Sequence, residues 1–87
     1  MTDAASRDPA AGDGPIEVDA RGKACPMPVI ELSQAVEAHP VGTRFRLLAT
    51  DPAAKVDVPV WCRMQRQQLR SATEADGVWT FVVEKVA

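Results

Sequence analysis

Two short stretches with strand-like alternation, Ile16-Glu17-Val18-Asp19 and Arg44 to Thr50, flank one segment whose apolar residues recur at helical spacing. In the first stretch apolar and acidic residues alternate, as in a half-buried strand. In the second, Phe45, Leu47 and Ala49 point one way, and Arg44 and Arg46 the other. Between them, after the short loop Arg21-Gly22-Lys23-Ala24, a helix is expected from Pro26 to about Ala38. Val29, Leu32 and Val36, with Ile30 beside them, form its apolar face, and Glu31 and Glu37 lie opposite. His39-Pro40 and Gly42 end it. A connection of this length permits a right-handed crossover, so the two strands are expected to be parallel.

The rest of the chain extends this unit. Asp51-Pro52 reads as a helix cap followed by a first-turn proline, and Asp57-Val58-Pro59 repeats the signal. The second helix is therefore expected to break near Asp57, with its main part running from about Val58 to Arg70. Val58, Trp61, Cys62, Gln65 and Leu69 would share one face, with Met64 on its flank. Ser71 to Ala75 is a weak strand signal, Asp76-Gly77 suits a type I′ turn, and Val78 to Val86 is the strongest strand pattern. The order β-α-β-α-β-β implies an α/β (α+β) two-layer sandwich: a four-stranded mixed sheet covered on one face by two helices. Residues 1–15, rich in Ala, Gly, Asp and Pro, read as a flexible tail ahead of one domain over 16–87.

Composition narrows the function. Ten basic against twelve acidic residues give a net charge of -2, which offers no general affinity for nucleic acid or anionic membrane. No apolar run approaches the roughly 18 residues of a membrane span, and the first residues lack the apolar core of a secretory signal, so a cytoplasmic location is expected. Two cysteines, Cys25 and Cys62, and one histidine, His39, show no metal-ligand spacing. Neither a P-loop nor a G-x-G-x-x-G fingerprint is present. No metal site and no cofactor are expected.

The informative string is Cys25-Pro26-Met27-Pro28, directly after the first loop. With a helix beginning at Pro26, Cys25 would be its N-cap, a position that favours Ser, Thr, Asp and Asn over cysteine. A thiolate there would face the positive end of the helix dipole. Pro26 and Pro28 have no N–H, so Met27 would be the backbone donor to the sulfur, while the prolines stiffen the turn. Lys23 and Arg21 would add positive charge. Each of these would lower the thiol pKa. An exposed thiolate can attack a sulfane sulfur, hold it as a persulfide and pass it on by thiol–disulfide-type exchange.

Plainer readings stand beside this one. A lone cysteine is often a small buried hydrophobe, and Cys62, mid-helix beside Trp61, fits that description better than Cys25. A Cys25–Cys62 disulfide, and with it a thiol redox sensor, would need their Cα atoms within about 7 Å. Asp51 and Asp57 read as caps rather than a catalytic carboxylate pair, and His39 as a helix-end residue favoured by the dipole. Arg44 and Arg46 read as a solvated face, or with Arg21, Lys23 and Arg63 as a patch for an acidic partner. Trp61, Trp79 and Phe81 read as core rather than a base-stacking platform.

The stretch from Asp19 through Gly22 to Cys25-Pro26-Met27-Pro28 resembles the signature of the TusA (SirA-like) sulfur-carrier family. Thr50-Asp51-Pro52-Ala53, Asp57-Val58-Pro59, Trp61-Cys62, Leu69, Gly77 and the last strand extend the likeness over Ile16 to Val86. The resemblance implies the same β-α-β-α-β-β sandwich and a sulfurtransferase role with a persulfide on Cys25. It implies a cysteine desulfurase or rhodanese-like protein as donor. The acceptor would belong to tRNA thiolation, molybdenum-cofactor formation or sulfur oxidation. It sets Cys62 outside the essential chemistry, and neither a membrane nor directly bound nucleic acid is implied. Lys23 replaces a leucine common in the family, and Arg66-Gln67 replaces a common Gly-His. The alternative is a non-catalytic regulatory or RNA- or protein-binding module of the same fold.

Overall fold

The computed structural model describes residues 14–87; of the tail expected over 1–15, residues 1–13 lie outside the described residues. The elements are β1 (Ile16–Ala20), α1 (Met27–Glu37), β2 (Arg44–Ala49), α2 (Ala54–Gln65), β3 (Gln68–Ala75) and β4 (Val78–Glu84). They build a four-stranded sheet in the order β1-β2-β4-β3. β1 and β2 are parallel, with Ile16 opposite Phe45 and Ala20 opposite Ala49. β4 pairs antiparallel with β2 on one side and β3 on the other, which makes the sheet mixed.

Alternation decides what lies inside. Phe45, Leu47 and Ala49 of β2 and Phe81 and Val83 of β4 turn to one face and are buried. Two helices cover that face. α1 buries Pro28, Leu32 and Val36, and α2 buries Ala54, Val58 and Cys62, each set spaced four residues apart along one stripe. The opposite face of the sheet carries charge. Arg46 pairs with Glu17, and Glu84 accepts both Arg44 and Arg70, all at 3.5 Å, so the strand arginines are balanced across neighbouring strands.

The end of α1 is held by a residue from far along the chain. The Lys85 ammonium donates to the carbonyls of Val36 (2.9 Å) and His39 (2.7 Å), placing a cation on the negative end of the helix. His39 instead sets its ring edge-on to Phe45, with centroids 5.6 Å apart.

The second helix differs from expectation at both ends. It starts at Ala54 and runs without a break through Pro59. The proline leaves the carbonyl of Lys55 without its helical donor, and Lys55 is exposed, where water can satisfy that carbonyl. The helix then stops at Gln65, not Arg70. Arg66 adopts the left-handed conformation (φ 61, ψ 32), and the N–H of Gln67 closes back on the carbonyl of Cys62 at 2.9 Å in a Schellman turn. The chain is thereby released to pair with β4, so Leu69 lies on β3 opposite Val83. Arg70 is the unpaired residue of a bulge between Leu69 and Ser71. Asp76 (φ 53) and Gly77 (φ 81) form the expected left-handed hairpin turn.

A non-glycine residue in the left-handed region is strained, and the substitution Arg66→Gly relieves this at some cost in unfolded-chain entropy. It is expected to raise stability by about 0.5–1 kcal/mol, seen as a higher urea midpoint at unchanged slope. A lower midpoint would show that the Arg66 side chain contributes more than its backbone costs.

Candidate functional site

Because β1 and β2 run parallel side by side, the loops that leave them emerge at the same edge of the sheet. The first loop carries Cys25 and the second carries Asp51, and the two are bonded to each other. Gly22 N–H donates to Thr50 Oγ1 at 2.8 Å, and Cys25 N–H donates to Asp51 Oδ2 at 2.9 Å. The other oxygen of Asp51 accepts the Ala53 N–H at 2.9 Å, in the side-chain turn that aspartate favours before a helix. These two backbone donors hold the Asp51 carboxyl below its usual range. Asp51 therefore shapes the start of α2, as expected of a cap, although Ala53 occupies the N-cap position itself.

Cys25 is not the N-cap of α1. That position belongs to Pro26, and no side chain caps the helix. The N–H of Met27, the donor expected for the sulfur, goes to the carbonyl of Ala24 at 2.9 Å. The Cys25–Pro26 peptide is cis. Pro28, at the start of the helix, is buried against the core, whereas Pro26 and Met27 are exposed.

The cations expected to favour a thiolate are engaged elsewhere. Arg21 forms a two-pronged pair with Asp19, at 2.9 and 2.8 Å, and holds that carboxyl at about 2. Lys23 pairs with Glu31 of α1. The groups that do act on the thiol are its own partial burial and two carboxylates. Burial comes first, then a hydrogen bond to Asp57 and its charge, then the charge of Asp51; together they push the Cys25 thiol up to about 11. The expected lowering is thus reversed: burial first, then the two carboxylates, raise the thiol, while Pro26 and Pro28 have no N–H and that of Met27 is bonded to Ala24.

Asp57 is the residue that sequence reasoning placed wrongly. It was expected to cap a helix; instead it sits in the first turn of α2 with its own N–H bonded to Ala53. Its side chain lines a shallow groove of about 230 Å³ together with Pro26, Val29, Val60, Trp61 and Met64. It is the one charged side chain among these six. Val60 and Met64 are exposed (40% and 72%), so apart from Asp57 the groove wall is apolar and partly open to solvent. The signal that could have located Asp57 is topological: parallel β1 and β2 bring the Cys25 loop against the first turn of the helix that follows β2.

Cys62 lies on the other side of α2, 3% exposed within the core, and burial pushes its thiol up to about 11. Both cysteines are free thiols. Phe81 is buried, and Trp61 and Trp79 pack against the core, with the Lys55 ammonium 5.5 Å above the Trp79 ring. Among the described residues, no group of three or more His, Cys, Asp or Glu is arranged to hold a metal ion. No described helix is long and apolar enough to cross a membrane.

Similar proteins share this arrangement of sequence. A chain of Archaeoglobus fulgidus is 41% identical over 71 residues, 80% of this chain and 92% of that one. The sulfur carrier protein TusA of Pseudomonas syringae pv. syringae is 33% identical over 69 residues, 79% of this chain and 82% of that one. The sulfur carrier protein TusA of Pseudomonas putida is 33% identical over 70 residues, 80% of this chain and 88% of that one. Residues 16–85, from the first residue of β1 to just past β4, match the family described as Sulfurtransferase TusA, and the chain belongs to that family.

Proposed function

We propose that this protein is a sulfur carrier that accepts a sulfane sulfur as a persulfide on Cys25 and relays it to an acceptor protein. The observation that carries the reading is the position of Cys25 within the family-matched span. It is a partly exposed thiol on the turn that leads into Pro26, set at the sheet edge where the β1 and β2 loops meet. Several relatives are named as sulfur carriers, which supports the same role here. The donor is a persulfide-forming protein such as a cysteine desulfurase or a rhodanese-like protein. The acceptor presents a thiolate or a comparably nucleophilic group. Pro26, Met27 and Pro28 fix the turn around the sulfur, while Lys23 and Arg21 brace the loop through their pairs with Glu31 and Asp19.

The reading does not require a thiolate at rest. Exchange proceeds through the thiolate form, and a thiol held near 11 supplies it only when its proton is taken. A protonated resting thiol also oxidises slowly, because oxidation follows thiolate character.

Incubation with a cysteine desulfurase and cysteine, followed by intact mass measurement, tests the proposal. Wild type is expected to gain one sulfur that a thiol reductant removes, and Cys25→Ser to gain none. An adduct that persists in Cys25→Ser would overturn the assignment. Cys62→Ala is expected to load as wild type does while losing about 1 kcal/mol of stability, below the range for Leu→Ala because one buried atom is removed.

The thiol environment has its own check. In Cys62→Ala, alkylation of Cys25 by iodoacetamide is expected to rise about tenfold per pH unit from pH 7 through pH 9, since the thiolate fraction grows until pH reaches the thiol pKa. A plateau near pH 8 would show that the carboxylates do not act on the sulfur as the structure indicates.

A further inference from the structure

We propose that Asp51 is a positioning residue for sulfur transfer: by holding the backbone of Cys25 against the turn that starts α2, it sets where the sulfur is presented to a partner protein. The inference rests on the carrier reading above and deepens it, because it names a residue that serves exchange with another protein but not exchange with a small persulfide.

Three observations carry it. First, the contact is direct and is made to the residue that carries the sulfur. The Cys25 N–H donates to Asp51 Oδ2 at 2.9 Å, and Asp51 Oδ1 accepts the Ala53 N–H, also at 2.9 Å, at the entry to α2. Bonds from N–H to a charged carboxylate are stronger than those to a neutral acceptor. Second, the stretch around Cys25 has little else to hold it. Between buried Ala20 and buried Pro28 every residue is exposed except Cys25, which is itself only partly buried against the core. Side-chain burial does not fix such a stretch, so its hydrogen bonds must. The Lys23 N–H returns to Ala20 and the Met27 N–H to Ala24, and neither reaches a neighbouring element. The Gly22 N–H bond to Thr50 and the Lys23 pair with Glu31 hold the loop upstream of Cys25. Among the described residues, the bond to Asp51 is the one that ties the Cys25 backbone itself to the far side of the site. Third, Pro26, which follows Cys25 directly, lines the groove with Val29 of α1 and with Val60, Trp61 and Met64 of α2. A tie between Cys25 and the start of α2 therefore also fixes the sulfur-bearing residue relative to that surface.

Exchange needs that precision. The Cys25 thiol gives its proton to the medium, and the thiolate attacks the outer sulfur of a donor persulfide, R–S–SH. A new S–S bond forms to Cys25 as the S–S bond of the donor breaks. Its electron pair leaves on R–S⁻, which takes a proton from the medium in turn. The products are Cys25–S–SH and R–SH. The sulfane sulfur moves without change of oxidation state, and no external oxidant or reductant is consumed. The reacting sulfurs must be aligned at about 3–3.5 Å, and a displacement of about 1 Å costs about 100-fold in rate. A donor protein is held by its own contacts and cannot follow a sulfur that has moved, whereas a small persulfide can. The Asp51 charge acts in the opposite sense, since it is among the causes that raise the thiol. Placement of the sulfur, not its ionisation, is therefore what Asp51 contributes to transfer.

The test compares a protein donor with a small one. Asp51→Ser is made in the Cys62→Ala parent, where Cys25 is the sole thiol, with far-UV circular dichroism as the folding control. A serine hydroxyl can still accept the Ala53 N–H in the same kind of turn, but it is too short to hold the Cys25 N–H as well. Asp51→Asn, with one acceptor oxygen in place of two, is the second variant. Loading of Cys25 is followed by intact mass at neutral pH, either from a cysteine desulfurase with cysteine or from glutathione persulfide. From the desulfurase, Asp51→Ser is expected to load about 100-fold more slowly than the parent, with Asp51→Asn between the two. From glutathione persulfide both variants are expected to load at least as fast as the parent. Loss of the Asp51 charge lets the thiol fall, and the gain in thiolate fraction exceeds the loss in nucleophilicity. A merely structural role would slow loading from both donors alike. Loading from the desulfurase at the parent rate, or an equal loss with both donors, would overturn the positioning role of Asp51 and leave the carrier reading intact. Failure of the parent to take up sulfur from either donor would overturn both.

Discussion

The carboxylate of Asp51 is the contact on which the site depends. One oxygen holds the turn that starts α2, and the other holds the backbone N–H of Cys25. A single side chain thus ties two loops that are far apart in sequence, with the Gly22–Thr50 bond beside it as a second tie. Without this bridge the Cys25 loop would keep the Gly22–Thr50 bond and the Lys23–Glu31 pair but lose its direct tie to the turn that starts α2. Charge-assisted bonds from backbone N–H to carboxylate are among the stronger hydrogen bonds available.

The bridge is possible only because β1 and β2 are parallel neighbours. The crossover through α1 brings both strand ends to the same edge of the sheet, where open α/β sheets generally place their functional groups. That topology was legible in the spacing of apolar residues: Phe45, Leu47 and Ala49 at period two, and Leu32 and Val36 at helical period, specify strand, helix and their buried faces. Asp76-Gly77 was legible as a hairpin turn because both positions need positive φ. What could not be read was the order of strands across the sheet. Nothing local in Val78–Glu84 says that it inserts between β2 and β3; its apolar content says only that it is central.

The second helix shows why local signals fail where two of them compete. Asp51-Pro52 and Asp57-Val58-Pro59 each look like a helix start, but only one start can be used, and the earlier one buries Ala54 as well as Val58 and Cys62. Pro59 is then tolerated inside the helix, since Lys55, whose carbonyl loses its helical donor, is exposed. At the other end Leu69 fits a helical stripe as well as it fits a strand. Tertiary pairing decides the matter, because Gln68–Ala75 gives β4 its second partner and covers an otherwise open edge. Arg66 accepts a left-handed backbone to make that switch, in a position where the family resemblance places glycine.

The thiol environment marks the point at which one-dimensional reasoning gives the wrong sign. Read along the chain, Cys25 has Arg21 and Lys23 upstream and a helix downstream, all of which favour a thiolate. Read in space, both cations are paired with Asp19 and Glu31, while partial burial and then the charges of Asp57 and Asp51 raise the thiol. The result is a thiol that stays protonated at neutral pH. For a carrier this arrangement has a functional logic that a permanently ionised cysteine lacks. A thiol kept protonated at neutral pH is oxidised slowly, because oxidation follows thiolate character.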